Sequence, residues 1–290
     1  MKRFSFLIIL LLLVSVQMPC CAQRGHIIVD SIRSEELGEW VKYNVYLPAG
    51  YRMRNVEKYP VLYLLHGLSD TYTAWDVKGH MRQICDELMA SGEADKMVII
   101  MPNAGTPDIV HTWCGYFNVK GYAYEDFFFE ELMPAAEKKY CIIGDRRHRA
   151  ISGLSMGGGG SVAYCMHHPE LFAACYAMSA WLDAHVKPLD KTKYMALRVK
   201  SVHDNCPMTY LDSVATDKQI AVLKKIDWFV DCGDDDGLLP LSEQLHQSML
   251  RRGLPVQLRV RNGGHTWEYW HQSLRIALPF ISRSFGKSGE

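Results

Sequence analysis

From Pro60 onward, short apolar runs alternate with stretches whose apolar residues recur at helical spacing. Val61-Leu62-Tyr63-Leu64-Leu65 is continuous rather than alternating, as expected for a strand buried on both faces of a parallel sheet. Met97–Met101, Arg149–Ser152, Ala173–Met178, Trp228–Cys232 and Val256–Val260 repeat the pattern. Between them, Tyr124–Lys139 carries Phe127, Phe128, Leu132, Ala135 and Ala136 at helical spacing. Gly158–His168 closes before Pro169, and Pro240–Arg251 and Trp267–Ile281 complete the helical set. Upstream, Ile27–Arg33 and Val41–Leu47 read as an antiparallel pair turning through Gly38. Strands alternating with helices predict an α/β fold: a mostly parallel central sheet with helices on both faces.

The stretch from Trp181 to about Lys225 is more polar and less periodic, with His203-Asp204-Asn205-Cys206-Pro207 as a loop or helix cap inside it. It is expected to be an insertion over the sheet, a lid or substrate wall. Neither an internal repeat nor a low-complexity linker interrupts the pattern. A chain of 290 residues, 48% of them hydrophobic, can bury one large core, so residues 23–290 are expected to form a single domain. Residues 1–22 differ: Lys2 and Arg3 precede the apolar run Phe6–Val14, and Cys20-Cys21-Ala22 supplies small residues before Gln23. That layout predicts a secretory signal peptide cut after Ala22 and a secreted or periplasmic product. The apolar run is short for a bilayer span, so no permanent membrane span is expected, and a lipidated Cys20 or Cys21 is disfavoured by Pro19.

Basic and acidic residues balance at 32 each, so no field is set up for nucleic acid or an anionic membrane, and the expected partner is a small or neutral substrate. Nine cysteines are present, two of them in the leader. The remaining Cys85, Cys114, Cys141, Cys165, Cys175, Cys206 and Cys232 match no zinc spacing and include no C-x-x-C pair. Most are expected to act as small apolar core residues.

The chemistry concentrates in Ser152-Gly153-Leu154-Ser155-Met156-Gly157-Gly158, a G-x-S-x-G motif with a strand pattern before it and a helical pattern after it. A nucleophilic serine needs a tight, strained turn to project its hydroxyl above the sheet. Glycines at 153 and 157 leave room where strand and helix backbones close on one another. The helix that follows aims amide N–H groups at the site and favours developing negative charge.

In proteins with this elbow, a carboxylate and a histidine follow the serine in chain order. The strand Trp228–Cys232 leads into Gly233-Asp234-Asp235-Asp236-Gly237, and Val256–Val260 leads into Arg261-Asn262-Gly263-Gly264-His265. His265 therefore stands where a loop can lower imidazole over the serine, as base and then acid. His271 lies within the following helix, and His167 and His168 end the helix after the elbow, where histidines commonly meet open carbonyls. An oxyanion hole requires backbone N–H groups from the residue after the nucleophile, Met156, and from the loop after an earlier central strand. Leu65-His66-Gly67-Leu68 ends such a strand, and Leu68 would present its amide there. Trp75, Trp113, Trp181 and Trp267 fall near loops at strand ends, where their rings could hold a sugar or phenolic acyl group, or simply pack the core. No nucleotide loop or metal-ligand cluster stands out, so neither cofactor nor metal is expected.

With these residues in place, the chain resembles the esterase D / carbohydrate esterase family 1 group. That group contains feruloyl esterases, acetylxylan esterases, S-formylglutathione hydrolases and mycolyltransferases. The likeness runs from about Val41 to Ile281 and rests on Val61–Gly67, Glu130–Tyr140, His148–Gly158, His168–Phe172 and Gly264–Trp270. The resemblance implies an α/β-hydrolase fold. It places the acid in a C-G-x-x-D loop, at Asp236, the base in G-H-x-W, at His265, and the oxyanion amides at Leu68 and Met156. The leader argues against the cytosolic S-formylglutathione hydrolases, and the secreted carbohydrate esterases fit best. An acyl-enzyme on Ser155 would pass its acyl group to water in an esterase, or to a sugar or lipid alcohol in an acyltransferase.

Overall fold

The computed structural model describes residues 24–53, 57–105, 115–183 and 193–286. The leader, Trp113 and Cys114 lie outside the described residues. Strands β1 (His26–Arg33), β2 (Trp40–Leu47), β3 (Val61–Leu65) and β4 (Val98–Pro102) open the main sheet. A short hairpin, β5 (Asn118–Val119) with β6 (Tyr122–Ala123), stands apart from it. The main sheet continues with β7 (Arg149–Leu154), β8 (Ala174–Met178), β9 (Asp227–Gly233) and β10 (Val256–Arg261). Its order is β1-β2-β4-β3-β7-β8-β9-β10, with β1, β2 and β4 paired antiparallel and every later pair parallel. This is the mostly parallel sheet that the pattern of apolar runs predicts, in keeping with the α/β-hydrolase fold that the resemblance implies.

The continuous runs sit where their composition places them. All five residues of β3, β4 and β8 are buried, because helices cover both faces. Each fully buried Leu, Ile or Val side chain there contributes roughly 1.5–3 kcal/mol. One face carries the helices Met133–Lys139, Met156–His167 and Leu239–Arg251. The other carries Met81–Ser91 and Trp267–Ser284, which pack against Leu62, Leu64, Ile99 and Tyr176. Edge strand β10 is only partly covered, with Gln257, Arg259 and Val260 exposed. No described helix is long and apolar enough to cross a membrane.

One element departs from expectation. Tyr124–Lys139 is helical but not uniformly so: Phe127–Leu132 widens into a π-helical turn, with Met133 donating to the Phe128 carbonyl five residues back. Pro134 explains it, since proline has no N–H for the Glu130 carbonyl and its ring would collide with that group in a regular turn. In the stretch from Trp181 to Lys225, the described residues include helices Lys193–Asp204 and Asp217–Leu223, with Leu211, Ile220 and Leu223 buried in the core. Of the loop or cap expected over His203–Pro207, only Asn205 and Cys206 lie between helices, since His203 and Asp204 end Lys193–Asp204 and Pro207 opens the short helix Pro207–Thr209. The six described cysteines are free, and all but Cys141 are buried, as small apolar core residues should be.

Candidate active site

Strand β7 ends at Leu154 and the next helix begins at Met156, so Ser155 alone makes the turn, at φ 53° and ψ −115°. A non-glycine residue held there carries about 1–3 kcal/mol of strain. The surroundings hold it. Its N–H donates to Met178 O at 2.9 Å, and its carbonyl accepts from Gly159 and Trp181 N–H at 3.0 and 2.9 Å. The flanking glycines are required by contact: a Cβ on Gly153 would lie 2.4 Å from the Gly157 carbonyl oxygen. One on Gly157 would lie 2.6 Å from the carbonyl oxygens of both Leu65 and His66.

Strands β9 and β10 deliver the carboxylate and the imidazole. Asp236 is buried, and its Oδ2 accepts from His265 Nδ1 at 2.9 Å while Oδ1 accepts from the Leu238 N–H at 2.9 Å. His265 Nε2 faces Ser155 Oγ at 2.9 Å. Burial alone would raise the Asp236 pKa. Hydrogen bonds from His265, the Leu238 amide and Ser179 outweigh it, and the net shift is downward, keeping the carboxylate ionised. An ionised Asp236 accepts the Nδ1 proton and leaves the Nε2 lone pair for the serine hydroxyl. The neighbouring aspartates do other work: Asp234 Oδ1 accepts from the Gly263 N–H at 2.9 Å, and the Asp235 N–H donates to Gly263 O at 3.0 Å. Both staple the two loops together, and both side chains are exposed.

Behind the imidazole, Trp270 meets the His265 ring edge to face, with centroids 4.8 Å apart, and donates its indole N–H to Ser179 Oγ at 3.0 Å. Ser179 in turn bonds Asp236. Sequence reasoning missed this brace, because its members come from the loop just after β8 and from the last helix and no local motif joins them. The other histidines stand elsewhere. His271 Nδ1 lies 3.1 Å from the Gly79 carbonyl, and His167 and His168 share Glu125 at 2.8 and 3.1 Å.

The loop after β3 passes close to Ser155: a Cβ on Gly67 would lie 3.6 Å from Ser155 Cβ. Leu68 and Ser155 line one cavity, and Met156 is the first residue of the helix after the turn. The two residues expected to supply the oxyanion amides thus border the Ser155 turn. The loop is fastened by His66, which is buried, with Nδ1 at 2.8 Å from Gly67 O and Nε2 accepting from the Ala104 N–H at 2.9 Å. That pair of bonds fits a neutral ring protonated on Nδ1, and burial pushes its pKa down to about 4.

The consequence is measurable. An unfolded histidine titrates near 6.5, so between about 6.5 and about 4 the unfolded chain binds a proton that folded His66 refuses. This contribution to stability is complete above about pH 6.5 and is lost as pH falls towards 4, amounting to roughly 3 kcal/mol. Denaturant titrations across that window should show a steeper loss in wild type than in His66→Gln. Equal slopes would refute the assignment.

The cavity beside Ser155 holds about 450 Å³ and is open to solvent, with Leu68, Trp181 and Leu238 as apolar walls and Ser155, Asp236 and His265 at its base. Of the tryptophans expected near a substrate, Trp181 lines it. Trp75 does not: it is 1% exposed, donates its indole N–H to Leu65 O at 3.0 Å, and packs edge to face on Trp267. The helical turn Ala74–Val77 folds it beneath the loop, so position near a strand end did not translate into access. Trp267 is half-buried between Trp75 and Trp270 and is not among the residues lining that cavity.

Comparison with known proteins fits this geometry. The family model described as "Putative esterase" matches residues 34–281. A solved ferulic acid esterase is 45% identical and superposes with a TM-score of 0.87, covering 91% of this chain and 99% of its own. The endo-1,4-beta-xylanase/feruloyl esterase of Xylanibacter ruminicola is 32% identical over 176 residues, 59% of this chain and 24% of that protein. The acetyl esterase of Caldicellulosiruptor saccharolyticus is 22% identical over 241 residues, 78% of this chain and 85% of the relative. The aligned part of the chain thus spans about a quarter of the xylanase/feruloyl esterase and most of the acetyl esterase.

Proposed function

The chain belongs to the esterase family and is a carboxylic ester hydrolase, and from that premise we propose that it is a secreted serine esterase releasing feruloyl groups from plant polysaccharide or oligosaccharide esters. The observation that carries the mechanism is the run of two 2.9 Å hydrogen bonds from Asp236 through His265 to Ser155. His265 Nε2 takes the hydroxyl proton as Ser155 Oγ attacks the ester carbonyl, and Asp236 stabilises the imidazolium that forms. The Leu68 and Met156 amides hold the oxyanion. His265 then protonates the departing sugar alcohol, leaving an acyl-enzyme. Water, deprotonated by the same imidazole, attacks that ester and releases the carboxylate with Ser155 restored.

The feruloyl preference draws on the likeness to a ferulic acid esterase and on the apolar walls Leu68, Trp181 and Leu238, which suit a planar phenolic acyl group. Export draws on the basic-then-apolar pattern of residues 1–22 and would give a mature chain starting at Gln23. Kinetics on methyl ferulate, p-nitrophenyl acetate and an acetylated xylan oligosaccharide test the acyl group. The expected result is a kcat/KM for the ferulate over the acetylated oligosaccharide higher by about tenfold or more. A reversed preference would make the chain an acetyl esterase. Transfer products dominating over free acid when an alcohol is added would make it an acyltransferase.

A further inference from the structure

A second cavity, of about 460 Å³, opens on the same edge of the sheet as Ser155 but shares no residue with the cavity described above. Trp40, at the start of β2, lines it with its side chain 67% exposed. Much of the indole is therefore accessible to a ligand at this rim. Around it stand hydrogen-bonding groups of both kinds. Glu39 accepts from Tyr122 OH at 3.0 Å, which fixes both at the rim. Lys42 is exposed beside them, and Thr73 and Asn103 close the other side. Asn103 is itself held in place, accepting from the Tyr72 N–H at 3.1 Å.

We propose that this cleft is a subsite for the carbohydrate chain of the substrate, with Trp40 as its stacking platform. The proposal rests on the reading of the Ser155 site as an esterase acting on acylated glycans. The chemistry selects the ligand. A pyranose ring presents an apolar C–H face, electropositive at hydrogen, which is attracted to the electronegative face of an indole. Its edge carries hydroxyls that need both donors and acceptors, which Lys42, Glu39, Tyr122, Thr73 and Asn103 supply. A nucleic acid or anionic lipid would call for a basic surface, and Glu39 offsets Lys42 here.

The topology fits a chain running between the two cavities. The β2–β4 register continues past its last paired residues, since Asn103 N–H donates to Lys42 O at 3.2 Å, so Trp40 lies level with the loop after β4. From β2 to β7 there are three strand spacings, or ~14 Å across the sheet. That span suits an oligosaccharide whose acylated sugar sits at Ser155, and a methyl ester cannot bridge it. The rim is also coupled to the oxyanion loop: Thr73 follows Leu68 in the same connection, and Ala104, next to Asn103, bonds His66.

The test compares wild type with Trp40→Ala on a feruloylated xylo-oligosaccharide and on methyl ferulate. The ratio of kcat/KM for the oligosaccharide to that for methyl ferulate should fall about tenfold, mostly through KM, and Trp40→Phe should restore part of it. Calorimetric titration with unacylated xylohexaose should show binding to wild type that weakens by a similar factor in Trp40→Ala. An unchanged ratio together with unchanged xylohexaose binding overturns the subsite. If wild type fails to cleave methyl ferulate, the feruloyl reading of Ser155 falls instead, and the xylohexaose titration still decides the subsite.

Discussion

Ser155→Ala should lower kcat on every ester that the wild type cleaves by about 10⁴- to 10⁶-fold, with KM little changed. In the proposed mechanism the serine oxygen bonds the acyl carbon, so its removal deletes the covalent route. What remains is the weaker catalysis that backbone N–H groups and binding give to direct attack by water. The fold should persist. The elbow is fixed by backbone bonds to Met178, Gly159 and Trp181, none of which uses the hydroxyl, and alanine tolerates φ 53° about as poorly as serine does. A thermal melt within a few degrees of wild type would confirm that only chemistry was lost. A fluorophosphonate probe should label wild type once and the variant not at all. Residual activity above about one part in a hundred, with labelling intact, would place the nucleophile on another residue.

The strands were legible because burial on both faces writes itself as unbroken apolar runs, and β3, β4 and β8 carry nothing else. The elbow was legible for a related reason: two backbones at 2.4–2.6 Å from a would-be Cβ leave no alternative to glycine at 153 and 157. Identifying which of three adjacent aspartates meets the imidazole was beyond spacing alone. It depends on Asp234 turning its carboxylate to the Gly263 amide, a contact across 29 residues. The tryptophans divide in the same way. Trp75 and Trp181 both lie near strand ends, yet one is sealed beneath a helical turn and the other walls the cavity. Trp40 lies one residue before the run Val41–Leu47 read as a strand, and only the three-dimensional edge exposes it. The helix Met81–Ser91 was not among the helical segments read from the sequence, although Met81, Ile84, Cys85 and Leu88 follow helical spacing and all four are buried.

The aspartate cluster supplies the sharpest separation of site from scaffold. Asp236→Asn should cut kcat near neutral pH by about 10⁴-fold. The carboxylate can only accept, so His265 must carry its proton on Nδ1 and offer a bare Nε2 to Ser155. An asparagine that turns its NH₂ towards Nδ1 reverses the tautomer, placing a proton on Nε2 where the serine proton must go. It also withdraws the charge that stabilises the imidazolium. Asp234→Asn keeps an amide oxygen able to accept from Gly263, and the exposed Asp235 uses only its backbone in the loop contact. Each of those variants should therefore stay within about threefold of wild type, the range of ordinary surface substitutions of up to ~0.5 kcal/mol. Steady-state kinetics of the three on one ester decide the matter, with circular dichroism to confirm folding. Should Asp235→Asn lose as much as Asp236→Asn, the carboxylate serving His265 during turnover would not be the one that contacts it at rest.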